Sequence, residues 1–278
     1  MQKFTNLTLS LLLLLYCLSS CKKNESEAPE QPLEILNPGD GANCALFKEY
    51  LEKDGKRTLS DQYEYDASDK LIKITHYDAE GKENIRRFEY DEKGRLAKIY
   101  EKLASGVPLV EYDGSVTFLY DSKDRVYKVD ARKIVDGAET ETQNRVIYYN
   151  DKEQVIRITS SFAQAWDFEY DADGNATKTY YTPNQKPKYL LEEYTSFDNK
   201  PQDKPLDKIF FLRNYLFAAS GSSFSKNHVL AYKIYNEDGS LNQAYDITRE
   251  YSTSGNPTKV ITKTSGLTTT LLSDYKCK

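Results

Sequence analysis

Short runs of alternating apolar and polar residues recur along the chain, each ending at a Tyr-Asp or Tyr-Asn pair. Tyr65-Asp66-Ala-Ser-Asp69-Lys70-Leu71-Ile72-Lys73-Ile74 aligns with Tyr90-Asp91-Glu-Lys-Gly94-Arg95-Leu96-Ala97-Lys98-Ile99. Tyr120-Asp121 through Val129 and Tyr149-Asn150 through Ile158 repeat the pattern, and weaker copies begin at Tyr170-Asp171, Tyr235-Asn236 and Tyr251-Ser252. The first five copies are 25, 30, 29 and 21 residues apart, so length varies between units, where loops belong. A β-prone stretch such as Arg87-Phe88-Glu89-Tyr90 precedes each pair, and an aliphatic, any residue, a base and an aliphatic follow the turn. The period is two, so each copy reads as a β-hairpin.

Turn chemistry agrees. An Asp at the first turn position bonds the backbone ahead of it, and Gly94, Gly174, Gly239 and Gly255 supply the left-handed residue of a bulged hairpin. Asp69 and Asp124 stand at that position in other copies, and Asp tolerates it better than most residues. Seven hairpins predict about fourteen strands, too many for one flat sheet. The expected fold is all-β: a long antiparallel meander, curled or barrel-like, with two stacked sheets as the alternative. A bulge at Gly94-Arg95 pairs Tyr90 with Leu96 and Phe88 with Lys98. The same arithmetic pairs Tyr63 with Lys73, Phe118 with Lys128 and Phe168 with Lys178. On that register the core face carries Ile72 and Ile74, Ala97 and Ile99, Tyr127 and Val129, and Ile156 and Ile158.

Leu206 to Ala219 breaks the repeat with an apolar stretch, read as a short helix or loop that plugs the curled sheet. A membrane-touching or partner-binding insert is the alternative.

The ends carry a different signal. Lys3 and the run Leu7 to Leu18 have the form of a signal peptide and are too short to span a bilayer. Leu18-Ser19-Ser20-Cys21 resembles the lipobox of bacterial lipoproteins. That resemblance implies cleavage after residue 20, lipidation of Cys21 and stable membrane attachment. Residues 21–43 are rich in Glu, Pro and Gly and read as a flexible tether, leaving 44–278 as a single β domain. The Lys22-Lys23-Asn24-Glu25-Ser26-Glu27 segment resembles the export tags of Bacteroidota surface lipoproteins. Cys44 and Cys277 bracket the domain. Outside the cytoplasm such a pair tends to oxidise, and a bond would set the first strand beside the last; two unrelated thiols is the alternative.

The Tyr-Asp pairs, with Tyr194-Thr-Ser-Phe197-Asp198-Asn199-Lys200-Pro201, resemble the YD-repeat (Rhs-type) family. They resemble more closely a domain-of-unknown-function family of Bacteroidota lipoproteins, over about Cys44 to Cys277. The resemblance implies a fold and an envelope location, at the outer membrane on its periplasmic or cell-surface face. It implies no chemistry, and strict YD repeats keep the Gly and the spacing more regularly than this chain does.

Composition adds exclusions. Of 278 residues 39% are apolar, 29% are charged, and the net charge is −5, which gives no basic patch for nucleic acid. There are 23 Tyr against two His, His76 and His228, and no paired-Cys spacing, so neither metal nor cofactor is expected. Tyr65, Asp66, Tyr90, Asp91, Gly94, Tyr120, Asp121, Tyr170, Asp171 and Gly174 are read as turn and repeat residues, and Glu192-Glu193 as solvated charge. Trp166, Phe168 and Tyr170 stand at period two; packing on neighbouring strands is the favoured reading, with a candidate binding platform for a sugar as the alternative. The expected function is therefore non-catalytic: a lipid-anchored envelope module that binds a glycan or an envelope protein. A structural role in an envelope assembly is next. A hydrolase with an inward carboxylate pair in a pocket comes last.

Overall fold

The computed structural model describes residues 44–102, 113–135, 138–201 and 220–277. The tether, Cys21 and the apolar stretch Leu206–Ala219 lie outside the described residues. Sixteen strands follow one another: β1 Cys44–Lys53, β2 Lys56–Tyr65, β3 Leu71–Tyr77, β4 Glu83–Tyr90, β5 Leu96–Lys102, β6 Asp113–Tyr120, β7 Val126–Val135 and β8 Ala138–Tyr149. The series continues with β9 Val155–Ser160, β10 Ala165–Tyr170, β11 Ala176–Thr182, β12 Tyr189–Pro201, β13 Asn227–Tyr235, β14 Leu241–Tyr251, β15 Pro257–Thr264 and β16 Leu267–Cys277. A single 3-10 turn, Gly221–Phe224, precedes β13. Every strand pairs antiparallel with its neighbours in sequence, and β1 pairs with β16, so the meander closes into a barrel. Cys44 and Cys277 are paired residues at that seam and are joined by a disulfide.

Thirteen strands rather than fourteen come from the seven Tyr copies, because the copies at Tyr235 and Tyr251 share β14. Strands β1, β12 and β16 belong to no copy. Since the meander reverses at each turn, the copies at Tyr65, Tyr90, Tyr120, Tyr149, Tyr170 and Tyr251 turn at one rim of the barrel. The copy at Tyr235 turns at the other.

The repeat residues explain one another. In the Tyr90 copy the Asp91 N–H donates to the Arg95 carbonyl at 2.8 Å, and the Gly94 N–H to the Asp91 carbonyl at 2.8 Å. The Asp91 side chain accepts the Arg95 N–H, also at 2.8 Å, as an Asx-turn residue should. Gly94 and Asp69 take positive φ of 78° and 63° in equivalent places. The tyrosine then ties each hairpin to the one before it. Tyr90 donates its hydroxyl to the Leu71 carbonyl at 2.7 Å, Tyr120 to Leu96 at 2.7 Å, Tyr149 to Val126 at 2.8 Å and Tyr170 to Val155 at 2.7 Å. Tyr65 does the same to Leu46 at 2.9 Å, from the first copy back to β1. The basic residue ahead of each aliphatic covers the next ring: Lys70 lies over Tyr90 at 5.2 Å, Arg95 over Tyr120 at 4.1 Å and Arg125 over Tyr149 at 4.5 Å. These are cation–π contacts. The motif is thus a staircase of rings, each held by a carbonyl of the preceding unit, and three of them, Tyr90, Tyr120 and Tyr149, are also covered by a cation.

Register corrects the expected faces. Tyr90 does pair with Leu96, but the extra residue lies one step further along, so Glu89 pairs with Lys98 and Phe88 with Ile99. Tyr63 likewise meets Ile74, Phe118 meets Val129 and Phe168 meets Thr179. A one-residue slip exchanges faces. The aromatics therefore point inward with the second aliphatic of each copy: Tyr63, Ile74, Phe88, Ile99, Phe118, Val129, Ile158 and Phe168 are all buried. Ile72, Tyr127 and Ile156, assigned to the core by the sequence, are exposed outside. Two of the lysines paired with aromatics in the sequence instead meet carboxylates on the outer surface, Lys73–Glu64 at 2.8 Å and Lys178–Glu169 at 4.0 Å, and Lys259–Glu250 at 3.1 Å follows the same pattern.

Candidate functional site in the barrel lumen

The inward surface has two halves of different chemistry. From β2 to β11 its largest part is an apolar cluster, in which Ile158, Trp166 and Phe168 are buried with the residues just named, and Asp61, Asp130 and Arg145 are buried polar groups on the same strands. From β12 to β14 the inward positions include Glu192, Tyr194, Tyr232, Ile234, Gln243 and Tyr245, and Tyr194 is the buried member of this set. Strand pairing places them side by side. Thr179 meets Glu192, Tyr194 meets Tyr232, and Tyr232 meets Tyr245. The Tyr232 and Tyr245 rings stack with centroids 4.5 Å apart, and the Tyr194 ring lies 6.0 Å from Tyr232. Tyr245 donates its hydroxyl to Gln243 Oε1 at 2.7 Å, and the Gln243 amide donates to Thr264 Oγ1 at 2.6 Å.

At the boundary between the halves sits a polar knot. The Tyr194 hydroxyl donates to Glu192 Oε2 and lies 3.0 Å from Ser220 Oγ and 3.3 Å from Thr179 Oγ1. Ser220 Oγ donates to the same carboxylate oxygen at 3.2 Å, and the Gly221 N–H donates to Thr179 Oγ1 at 3.0 Å. Burial pushes the Glu192 carboxyl above its ordinary range, against the hydrogen bonds from Tyr194, Thr179, Ser220 and Gly221 that pull it down. Burial likewise holds the Tyr194 hydroxyl well above its usual value, helped by the neighbouring Glu192 charge. Glu192 thus corrects the reading of Glu192-Glu193 as solvated charge. Strand parity separates the pair: Glu193 faces out and accepts from Tyr235 at 2.8 Å. The sequence signal that marks Glu192 is its place two residues from Tyr194 in an alternating strand.

A second acidic group lies at the seam. Ser273, Glu49, Asp61 and His76 are successive cross-strand partners on β16, β1, β2 and β3. The Tyr63 hydroxyl donates to Glu49 Oε2 at 2.5 Å, and His76 Nδ1 is 3.0 Å from Asp61 Oδ1. Glu49 and Asp61 are the inward carboxylate pair a hydrolase needs, but they retain 5% and 3% of their exposure. A glycosidic bond and its attacking water need open space between the two acids. Among the described residues no group of three or more His, Cys, Asp or Glu is placed to hold a metal ion.

Sequence-based candidates fall as follows. Tyr65, Asp66, Tyr90, Asp91, Gly94, Tyr120, Asp121, Tyr170, Asp171 and Gly174 all lie in the turns and the staircase. Trp166, Phe168 and Tyr170 do not form an open platform, which corrects that reading. Trp166 and Phe168 are 4% and 5% exposed. Arg145 covers the Trp166 ring at 4.8 Å and Phe224 packs edge-on against Phe168 at 4.8 Å. Tyr170 is part-buried by its bond to Val155. Their period of two marked a strand, and the inward face of that strand is core.

No protein-family model matches the sequence. No curated protein matches it either. Among solved structures the chain is similar to a porin-like protein from Bacteroides uniformis ATCC 8492, with a TM-score of 0.50 at 12% identity, over 85% of this chain and 96% of that one. A porin-like protein from Bacteroides vulgatus ATCC 8482 matches with a TM-score of 0.40 at 12% identity, over 83% of this chain and 98% of that one. The TcdB2-TccC3 structure matches with a TM-score of 0.32 at 16% identity, over 80% of this chain and 12% of that one. At this identity the first likeness speaks to architecture: the chain and the B. uniformis protein share a barrel fold.

Proposed function

We propose that this chain is a non-catalytic lipoprotein of the outer membrane, anchored through Cys21, whose barrel stands in water and serves as a binding module for another envelope protein. The observation that carries the reading is the direction of the barrel's faces. A membrane-spanning barrel turns apolar residues outward and polar ones inward. Here Phe88, Ile99, Phe118 and Ile158 point in, while Glu64–Lys73 and Glu250–Lys259 pair on the outside. Strands β9 and β10 are 6 residues long and β11 is 7, short of the nine to eleven or so that a spanning strand needs. Attachment by lipid rather than by the barrel accounts for both facts and gives the Cys21 lipobox and the tether a purpose.

The partner class follows from one break in the outer charge pattern. Four copies pair a Glu with the Lys across the strand, at Glu64, Glu89, Glu169 and Glu250. The two middle copies place Leu119 opposite Lys128 and Tyr148 opposite Arg157. Tyr148, with Tyr127 and Ile156 on the adjacent strands β7 and β9, is exposed. Large aromatics with flanking cations are the residues that anchor protein contacts. A lumenal glycan site on Tyr232 and Tyr245 is the second reading, supported by their partial exposure. The test is in-cell cross-linking of the full chain. Loss of a cross-linked partner in Tyr148→Glu, with retention in Tyr245→Ala, supports the outer surface; the reverse supports the lumen. A Cys21→Ser chain that stays in the membrane fraction overturns the anchor.

A further inference from the structure

The outermost pairs of the seam reach past the neighbouring strands. Cys44–Cys277, Ala45–Lys276 and Leu46–Tyr275 are cross-strand partners. The ladder of β1 with β2 begins only at Lys48–Gln62, and that of β16 with β15 only at Leu272–Lys259. Past those points β1 and β16 pair with each other alone, as a two-stranded ribbon on the rim where the Tyr65 and Tyr251 copies turn. A two-stranded ribbon is marginal by itself in water. Two tyrosines fasten this one to the barrel. Tyr65 donates its hydroxyl to the Leu46 carbonyl and Tyr275 donates to the Pro257 carbonyl, each at 2.9 Å. Lys276 of β16 lies over the Phe47 ring of β1 at 3.5 Å. The disulfide joins the last pair of the ribbon.

That pair is also where the chain enters the fold. Cys44 opens β1, so a pull on the chain ahead of it is felt first here. A backbone hydrogen bond contributes little by itself once water can replace it. A ladder loaded at its free end therefore yields one bond at a time. A covalent bond at the loaded end removes that route. The pull then draws on β1 and β16 together. It must break the ladder from Lys48–Gln62 to Lys53–Lys56 on one side and that from Leu272–Lys259 to Leu267–Thr264 on the other.

We propose that Cys44–Cys277 is a mechanical clamp: it divides the pull of the membrane tether between β1 and β16, so that the seam does not unzip from its outer end. The clamp rests on the proposed anchorage through Cys21, with the chain ahead of Cys44 fixed at the membrane while the barrel holds its partner. A bond that served stability alone would resist unfolding from every direction. A clamp matters for a load that arrives through residue 44.

Single-molecule pulling on the full chain tests this. The chain is held by a thioether at Cys21 and by an azide-bearing residue in place of Tyr148, on the outer wall of β8. In the oxidised chain the barrel yields as a unit. After reduction with dithiothreitol the first yield comes at half that force or less and releases the length of β1, 10 residues. Cys44→Ser repeats the reduced trace. With the handles at Glu92 and Tyr148 the load bypasses the seam, and reduction leaves the yield force unchanged. Identical traces before and after reduction overturn the clamp. An equal loss of force in both pulling directions overturns it as well, because the bond is then a general staple. Should Cys44→Ser fail to fold, reduction of the folded unaltered chain supplies the same comparison. The pull goes through residue 21 with no membrane present. These traces therefore judge the clamp, and fractionation of Cys21→Ser judges the anchor.

Discussion

The five copies from Tyr65 to Tyr170 and the single copy at Tyr235 use the same turn, yet they show opposite faces. In the Tyr90 copy the tyrosine hydroxyl reaches the Leu71 carbonyl and the following Leu96 packs against the core. In the Tyr235 copy the tyrosine reaches outward to Glu193, and Leu241, its turn partner, is 54% exposed. The turn hydrogen bonds do not differ: Asn236 N–H to the Ser240 carbonyl at 2.9 Å matches Asp91 N–H to Arg95 at 2.8 Å. What differs is the strand pairing that delivers the chain to the turn. β12 and β13 slip register three times between Tyr194 and Pro201, and each slip can exchange the faces. The motif specifies a hairpin and the preceding ladder decides which side of it is wet. One result is a half of the lumen with an apolar cluster built largely from motif residues, and a polar half lined by residues the motif does not contain.

The sharpest way to break that contrast is to remove one ring from each half. Phe88→Ala empties a buried site between Ile74 and Ile99 and should cost about 3–5 kcal/mol. Tyr245→Ala removes a part-exposed ring, and its cost should stay below about 1.5 kcal/mol. Urea denaturation of both variants measures the two values, and equal losses would mean that the polar half is packed as tightly as the apolar one.

An effect of comparable size is expected at the seam that joins the halves. Cys44 and Cys277 close a loop with a sequence separation of 233, and in the chain-entropy model such a bond contributes roughly 5 kcal/mol. Cys44→Ser should lower the melting temperature by that equivalent while β1 and β16 stay paired, since Ala45 to Glu52 contribute their own ladder against β16. Far-ultraviolet circular dichroism below the melt checks the second half of the statement. A loss of strand signal there would mean that the two halves meet only through sulfur.

Much of this architecture was legible in the chain. Asp91, Gly94 and Asp69 announced their turns because the chemistry of a turn is local. Cysteines at both ends pointed to a first strand beside the last. The bulge position was not legible: whether residue 97 or the Gly94-Arg95 step takes up the extra residue depends on which side chains find the core, a competition settled across strands. That one step moved Phe88 from the surface to the interior and exposed Ile72. Glu192 was hidden for the same reason, since two adjacent acids read as solvated charge until strand parity turns one of them inward. Trp166 packs on its neighbours, the reading favoured in the sequence over a sugar platform, though a strand aromatic looks alike from either face.

The smallest effect tests the staircase itself. Tyr120→Phe deletes one hydroxyl and leaves the ring under Arg95, so the change isolates the bond to the Leu96 carbonyl. A part-buried neutral bond of this kind should be worth about 1 kcal/mol. Tyr235→Phe deletes the corresponding hydroxyl in the copy whose tyrosine faces out, where water replaces the bond to Glu193, and should cost less than about 0.5 kcal/mol. Both hydroxyls titrate above the ordinary tyrosine range, Tyr120 through burial and Tyr235 through its bond to Glu193. Burial raises the Tyr120 hydroxyl's pKa, so its contribution persists until pH rises through the folded value and is then lost as the phenol ionises. The stability difference between Tyr120→Phe and the unaltered chain should therefore hold up to about pH 10 and shrink as pH rises further. If Tyr235→Phe cost as much as Tyr120→Phe at neutral pH, the hydroxyl would matter through the outer ion network rather than through the carbonyl of the preceding hairpin. The staircase would then be a consequence of the turns, with no share in stacking one hairpin on the next.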